Sequence, residues 1–313
     1  MAPELASLVA KFSREPEPLG SLWVRALAVL ASGYRATGEL DQAEATYSEA
    51  MQVARREGIP DAEWANLLFR VAVLRSAQNR LDESRHLAGK AVAIYRKATA
   101  EVRQRHLGEA LTIRGYSHAM GGDWAPAMKD WSEALCCTDP KKRPRVYYCA
   151  SLNLACGLVA KTIDSRSLSA IERCLRQARK FLSKRPRSTH KLRLIWLEGM
   201  IMIRFGSTRR GQAALEAARR GFIAIGAPFD LALVSLVLGR YLRQSHQVNE
   251  LKALAVETQH QVRLICSDKQ TNEALMIWKE AVLTRARASE SFNAAWQVVQ
   301  QRGFASRSIP GAG

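Results

Sequence analysis

The sequence lacks the devices that announce chemistry. Its 313 residues hold no GxxxxGK[ST] phosphate loop, no GxGxxG turn after a strand pattern, no GxSxG elbow and no HExxH pair. The histidines (His86, His106, His118, His190, His246 and His260) are scattered, none at zinc-finger distance from a cysteine. Six cysteines form no CxxC pair, and the adjacent Cys136 and Cys137 cannot easily ligate one ion. Cys149 and Cys156 stand two helical turns apart on one face and read as packing. All six therefore read as buried thiols of a reducing compartment. No stretch of 18 residues is free of charge, which argues against a membrane helix, and the N-terminal MAPELASLVAKFSREPEP lacks the basic-then-apolar order of a secretory signal. Alternating apolar residues are not sustained over a strand's length. These absences predict a cytoplasmic, non-catalytic protein with no cofactor, no metal site and no membrane partner.

What is present is a repeat. A small residue is followed seven positions later by a turn residue, five later by another small one, and seven later by a third. The frame reads Ala31, Gly38, Ala43, Ala50; then Ala72, Asn79, Ser84, Ala91; then Gly115, Gly122, Ala127, Ala134; and later Gly199, Gly206, Gly211, Ala218. Fifteen of these 16 positions are Gly, Ala or Ser, against 89 of 313 in the whole chain, so chance is a poor account. Weaker copies are Val159, Arg166, Ile171, Ala178 and Gly239, His246, Leu251, Thr258. Two antiparallel helices joined by a short turn need little bulk where their backbones cross, and the turn favours residues that tolerate positive φ. Large apolar residues flank the small ones at helical spacing, such as Leu30, Tyr34 and Tyr47 or Trp124 and Trp131. A hairpin of about 40 residues cannot bury a sufficient core alone, so the hairpins must stack.

The expected fold is all-α: a right-handed α-solenoid of six to seven helical hairpins at 40–44-residue spacing. The hairpins are predicted over 22–57, 62–98, 104–138, 146–184, 190–225, 229–266 and 271–302. Breakers separate them at Gly58-Ile59-Pro60, Asp139-Pro140, Pro144, Pro186 and Ala227-Pro228. Residues 1–21 read as a lead-in, 22–302 as the array, and 303–313 as a flexible tail.

The segments GYRATGELDQAEATYSEAM (33–51) and GYSHAMGGDWAPAMKDWSEALCCTDP (115–140) resemble tetratricopeptide repeats. The likeness is strongest over 22–140 and extends to about 260, with units longer than the usual 34 residues. LRLIWLEGMI (192–201) and FDLALVSLVLGRYL (229–242) resemble the C-terminal repeat segments of bacterial regulators that join such arrays to a helix-turn-helix domain. The short stretch ahead of the first predicted helix is not expected to hold such a DNA-reading domain. The resemblance implies an interaction scaffold or adaptor, regulatory in flavour, holding a peptide or helix of a partner protein in a concave groove. The first helix of each hairpin would line that groove. By helical phase it presents Asn66, Phe69, Arg70 and Val73, then Glu109, Thr112 and Tyr116, then Asn153. Further on come Arg193, Trp196, Met200 and Arg204, and finally Arg240 and Arg243. Trp196 reads equally as an anchor or as packing. The Lys/Asn set by which some family members clamp a carboxylate is not reproduced.

Acidic residues are scarce, 29 against 47 Lys plus Arg, for a net charge of +18. Residues 1–145 carry +3 of it and 146–313 carry +15, with +16 in the window 141–220. Lys141, Lys142, Arg143 and Arg145 open that window. Arg173, Arg176, Lys180 and Lys184 follow three- and four-residue steps along one helix face, and Arg185 and Arg187 continue beyond it. Two readings stay open: a solvated face, or contact with a polyanion. The second makes the protein a subunit of a nucleoprotein assembly touching RNA or DNA through the phosphate backbone. Aromatics for base stacking are few there, so base reading is not expected.

Overall fold

The computed structural model describes residues 20–161, 165–184, 188–284 and 288–306, so most of the expected lead-in (1–21) and tail (303–313) lies outside them, while residues 20–21 and 303–306 are helical. Among the described residues there are fourteen α-helices and no strand. They are α1 (Gly20–Thr37), α2 (Leu40–Glu57), α3 (Asp61–Ala77), α4 (Leu81–Lys97), α5 (Ala100–Met120), α6 (Trp124–Cys137) and α7 (Pro144–Lys161). After them come α8 (Ser165–Lys184), α9 (Ser188–Arg204), α10 (Thr208–Ala224), α11 (Pro228–Gln244), α12 (Val248–Ile265), α13 (Lys269–Thr284) and α14 (Ala288–Ser306). No described helix is long and apolar enough to cross a membrane. The helices pack as consecutive hairpins, with α1 on α2, α3 on α4, α5 on α6, α9 on α10 and α11 on α12.

The turn positions of the repeat behave as their chemistry demands. Gly38, Gly122 and Gly206 have φ of 88°, 87° and 89°, and Asn79 and His246 take 61° and 57°. Each closes its helix with the same pair of bonds, the turn N–H donating three residues back and the next N–H five back. Gly38 N–H reaches the Arg35 carbonyl and Glu39 N–H that of Tyr34; Gly206 and Ser207 reach Ile203 and Met202. Orphan carbonyls at the helix end are thereby satisfied, and only a left-handed residue permits the geometry.

The small positions lie where backbones cross. Ala31, Ala43, Ala50, Ala72, Ser84, Ala91, Ala127, Ala134 and Ala218 are all fully buried. A Cβ built on Gly115 would stand 2.7 Å from Trp131 Nε1 and 3.0 Å from the Ala127 carbonyl oxygen. On Gly199 it would meet the Gly211 carbonyl oxygen at 3.0 Å, and on Gly211 the Gly199 oxygen at 2.7 Å. Helix axes approach this closely only where side chains are absent.

The chain divides into two compact units. The first, α1–α7, has one apolar cluster in α1–α3 around Trp23, Leu27, Tyr47 and Leu74, and a second in α3–α7 around Phe69, Tyr95 and Leu111. The second unit, from Thr162 to Gly303, has its cluster in α9–α14 around Phe222, Leu231, Leu236 and Trp278. The weak fourth copy of the frame straddles the division: Val159 belongs to the first unit, and Ile171 and Ala178 to the second. Its expected turn residue, Arg166, lies inside α8 instead. That copy is a misalignment, because Val159 and Arg166 supply neither a bulk-free crossing nor a left-handed turn.

Candidate functional site

In the first unit the first helices of successive hairpins touch one another, α1 on α3, α3 on α5 and α5 on α7. A row of polar side chains follows them. Ser32 hydrogen-bonds the Tyr47 hydroxyl across 2.8 Å, and Arg70 donates to Ser32 Oγ at 2.9 Å and to Asn66 Oδ1 at 3.0 Å. Arg70 is half-buried and has neutral acceptors only among the described residues. Glu109 on α5 pairs with Arg143, which stands just before α7. Burial of Glu109 outweighs that partner and pushes its carboxyl up to about 6. His106, one turn earlier, stacks on Tyr95 with ring centroids 5.4 Å apart. Burial, aided by Arg105, Arg143 and Arg70, lowers its pKa to about 4.

Several expected groove residues are corrected by this arrangement. Phe69 and Val73 are 3% and 2% exposed and belong to the core that holds Tyr95 and Leu111. Glu109 and Thr112 are 7% exposed, the one paired with Arg143 and the other donating from Oγ1 to the Gly108 carbonyl. Helical phase overstates the open face of the first helices: α3 and α5 are buried on several sides at once, so few of their side chains are left outside. Tyr116 is half-buried against the same core, and Asn153 is half-buried on α7.

In the second unit Arg193 is committed to Asp230, with Nε and Nη2 donating to the two carboxylate oxygens at 2.9 and 2.8 Å. Trp196 and Met200 are half-buried against the α9–α14 core, so packing accounts for much of their area. Arg204, Arg240 and Arg243 are exposed. The last two stand at a narrow cavity lined by Gly239, Leu251, Trp278, Val282 and Phe292.

The basic residues divide likewise. Lys141, Lys142, Arg173, Arg176 and Lys180 are exposed. Arg143 and Arg145 are half-buried, and Arg143 is consumed by Glu109. Arg185 and Arg187, and the side chain of Lys184, lie outside the described residues.

The sequence reading misses Arg35, 1% exposed, whose charge burial disfavours. It falls on the core-facing stripe of α1 with Ala28, Ala31 and Ser32, so helical phase alone could have found it. It also misses a ladder of ion pairs between neighbouring hairpins. Arg96–Glu133, Arg193–Asp230 and Arg219–Glu257 join residues 37, 37 and 38 apart. An Arg-to-acid spacing near the repeat length was the available signal.

Among the described residues no three His, Cys, Asp or Glu side chains gather as a metal site would require. The cysteines are free; Cys174 and Cys266 are buried, but Cys136 is exposed, correcting the expectation that all six are buried. Burial raises the Cys137, Cys174 and Cys266 thiols and pushes Cys156 up to about 12, leaving them protonated and weakly nucleophilic.

Comparison with known proteins agrees with the hairpin architecture. Residues 24–97 match the family model described as tetratricopeptide repeat. Among solved structures, the crystal structure of the apo form of RapI is similar, with a TM-score of 0.57 and 11% sequence identity, over 94% of this chain and 79% of that one. At such low identity the likeness is one of fold. No curated protein sequence matches the chain. Residues 24–97 thus match the tetratricopeptide repeat, and the left-handed turns recurring at Gly38, Asn79, Gly122, Gly206 and His246 continue the helical-hairpin architecture beyond them.

Proposed function

We propose that the chain is a non-catalytic interaction scaffold, an adaptor or regulatory arm that binds a segment of a partner protein along the first helices of its hairpins. The observation that carries this reading is the residue set those helices leave accessible once the core is formed. Asn66, Arg70 and Tyr116 are half-buried in the first unit; Trp196 and Met200 are half-buried in the second, with Arg204, Arg240 and Arg243 exposed. Aromatic and Arg side chains of this kind supply most of the energy at protein interfaces. The nucleoprotein alternative rests on exposed cations alone.

The test is affinity purification of the full chain from its native cell, with and without nuclease. A protein retained after nuclease treatment, and released by Arg240→Ala with Arg243→Ala, supports the scaffold reading. Trp196→Ala should weaken the same partner by about 2 kcal/mol. Capture that vanishes with nuclease would replace it by the nucleoprotein reading.

A further inference from the structure

The fold sorts the charge at the start of the second unit. Among the side chains described between Leu168 and Ala224, on α8, α9 and α10, nine Lys and Arg are exposed against one acid, Glu172. The other two acids of that stretch are half-buried and already paired, Glu198 with Arg179 at 2.7 Å and Glu216 with Arg219 at 2.9 Å. No large apolar side chain is exposed there; those the described chain does expose are Leu22 and Val29 on α1 and a set from Ile225 onward. α8 and α10 carry most of these cations, and both pack on α9. α8 buries Ile171, Leu175, Ala178 and Leu182, and α10 buries Gly211, Leu215, Ala218 and Phe222, each 40 residues further on. The two helices therefore turn corresponding faces outward, with Arg173 and Arg176 exposed on one and Arg209, Arg210 and Arg220 on the other. None of these five has an ion pair among the described residues. Arg209 and Arg210 also stand in the first turn of α10, where the helix dipole disfavours cations and no acid offsets them.

From this sorting we infer that the outward faces of α8 and α10 dock the phosphate backbone of a nucleic-acid duplex. A protein partner needs apolar or aromatic anchors at the centre of its interface, and this surface offers none. Interfaces with nucleic acid are instead polar and strongly cationic. Single strands are held by stacking their bases on aromatic rings. No aromatic ring is exposed on the described parts of α8, α9 or α10, so the surface suits a duplex. Contacts to phosphate carry no sequence information, which makes the base sequence immaterial. The surface belongs to α8 and α10, whereas the proposed scaffold groove belongs to the first helices of the hairpins. Either reading can fail alone.

The probe is a fluorescein-labelled DNA duplex of about 20 base pairs, titrated against the full chain by anisotropy between about 50 and 200 mM salt. About five phosphate contacts give a log–log slope near −4.5, a loss of about 500-fold in affinity across that range. Arg173→Gln with Arg176→Gln, and separately Arg209→Gln with Arg210→Gln, should each cut that loss to about 40-fold. All four residues are exposed and Gln is a good helix former, so helicity by circular dichroism should hold in both variants. A duplex of unrelated sequence should bind equally well. Duplex RNA of the same length is the parallel arm: binding of either duplex supports the inference, and the tighter one identifies the source. Absence of binding at 50 mM salt by the folded chain, or a slope unchanged in both double variants, would overturn it. Displacement by poly-glutamate at equal charge would replace it by an acidic protein partner. Tighter binding of a single strand than of the duplex would replace it by a base-stacking surface.

Discussion

The α9–α10 hairpin and α8 are neighbours in sequence and opposites in construction. In the hairpin, Gly199 and Gly211 bring two backbones so close that a methyl on either would meet the other's carbonyl oxygen at 3.0 or 2.7 Å. On α8 the frame has lost its turn, Arg166 lying inside the helix, and a bulky Ile171 stands where the hairpin has Gly211, although Ile171 and Ala178 are both fully buried. Charge follows the same division. Arg193 and Arg219, near the hairpin's core, are spent on Asp230 and Glu257, whereas Arg173 and Arg176 of α8 face solvent. Small residues at crossings mark where two backbones of this chain come closest.

The largest effect that could break the comparison is at Phe69, which lies in the core and not in a groove. Phe69→Ala should cost about 3–5 kcal/mol in chemical unfolding through transfer loss and cavity formation. Leu168→Ala, half-buried on α8, should cost about 1 kcal/mol or less. Similar losses at both would mean that α8 is sealed like the hairpins.

Next come the crossings themselves. Gly211→Leu should destabilise by about 3 kcal/mol, because its side chain would need the space held by Ile203 and the Gly199 carbonyl, and Gly115→Leu should do the same against Trp131. Val159→Leu, in the misaligned fourth copy, adds one methylene at a half-buried position and should cost under about 1 kcal/mol.

Buried charge sharpens the contrast through pH. Glu109 has its carboxyl raised from 4.5 to about 6, so the folded chain holds that proton more tightly than the unfolded chain does. Its contribution is fully present below pH 4.5 and is lost as pH rises through 6, roughly 2 kcal/mol in all. His106 runs the other way: its neutral form is favoured, and stability falls as pH drops from 6.5 towards 4. The two partly cancel in the native chain. Glu109→Gln removes the first and keeps the second, so the variant should gain stability relative to the native chain between pH 4.5 and 6. Parallel pH profiles would show that Glu109 is already neutral or already solvated.

The hairpins were legible because their determinants are local. A residue that must be small, and another that must accept positive φ, leave a signature at fixed spacing, and Ala31-Gly38 or Gly115-Gly122 can be read without knowing any partner. The site was not legible in the same way. Phe69, Val73, Glu109 and Thr112 fall on a first helix like Asn66 and Arg70, and helical phase does not say which part of that helix the next hairpin will cover. Arg143 counts as a free cation until Glu109, 34 residues away, is found beside it.

The smallest expected effect tests the local rule most closely, because it concerns one dihedral angle. Seven positions take the left-handed geometry and five of them are glycine (Gly38, Gly58, Gly122, Gly206 and Gly226); Asn79 and His246 hold φ of 61° and 57° with a side chain present. For an L-residue that conformation costs roughly 1–2 kcal/mol, less for Asn, whose short polar side chain tolerates it. His246 is exposed, so its side chain returns little packing for that strain. His246→Gly should therefore stabilise the chain by up to about 1 kcal/mol, the relief being offset in part by the greater entropy that glycine loses on folding. Asn79→Gly should gain less, by about 0.5 kcal/mol or under. The reverse change, Gly206→His, should lose about 1 kcal/mol, since its φ of 89° is further from what a side chain accepts. Thermal unfolding of the three variants ranks them directly. A neutral or destabilising His246→Gly would mean that the imidazole holds this turn by a contact of its own, and the sixth unit would then owe its closure to a side chain and not to the backbone rule that closes the others.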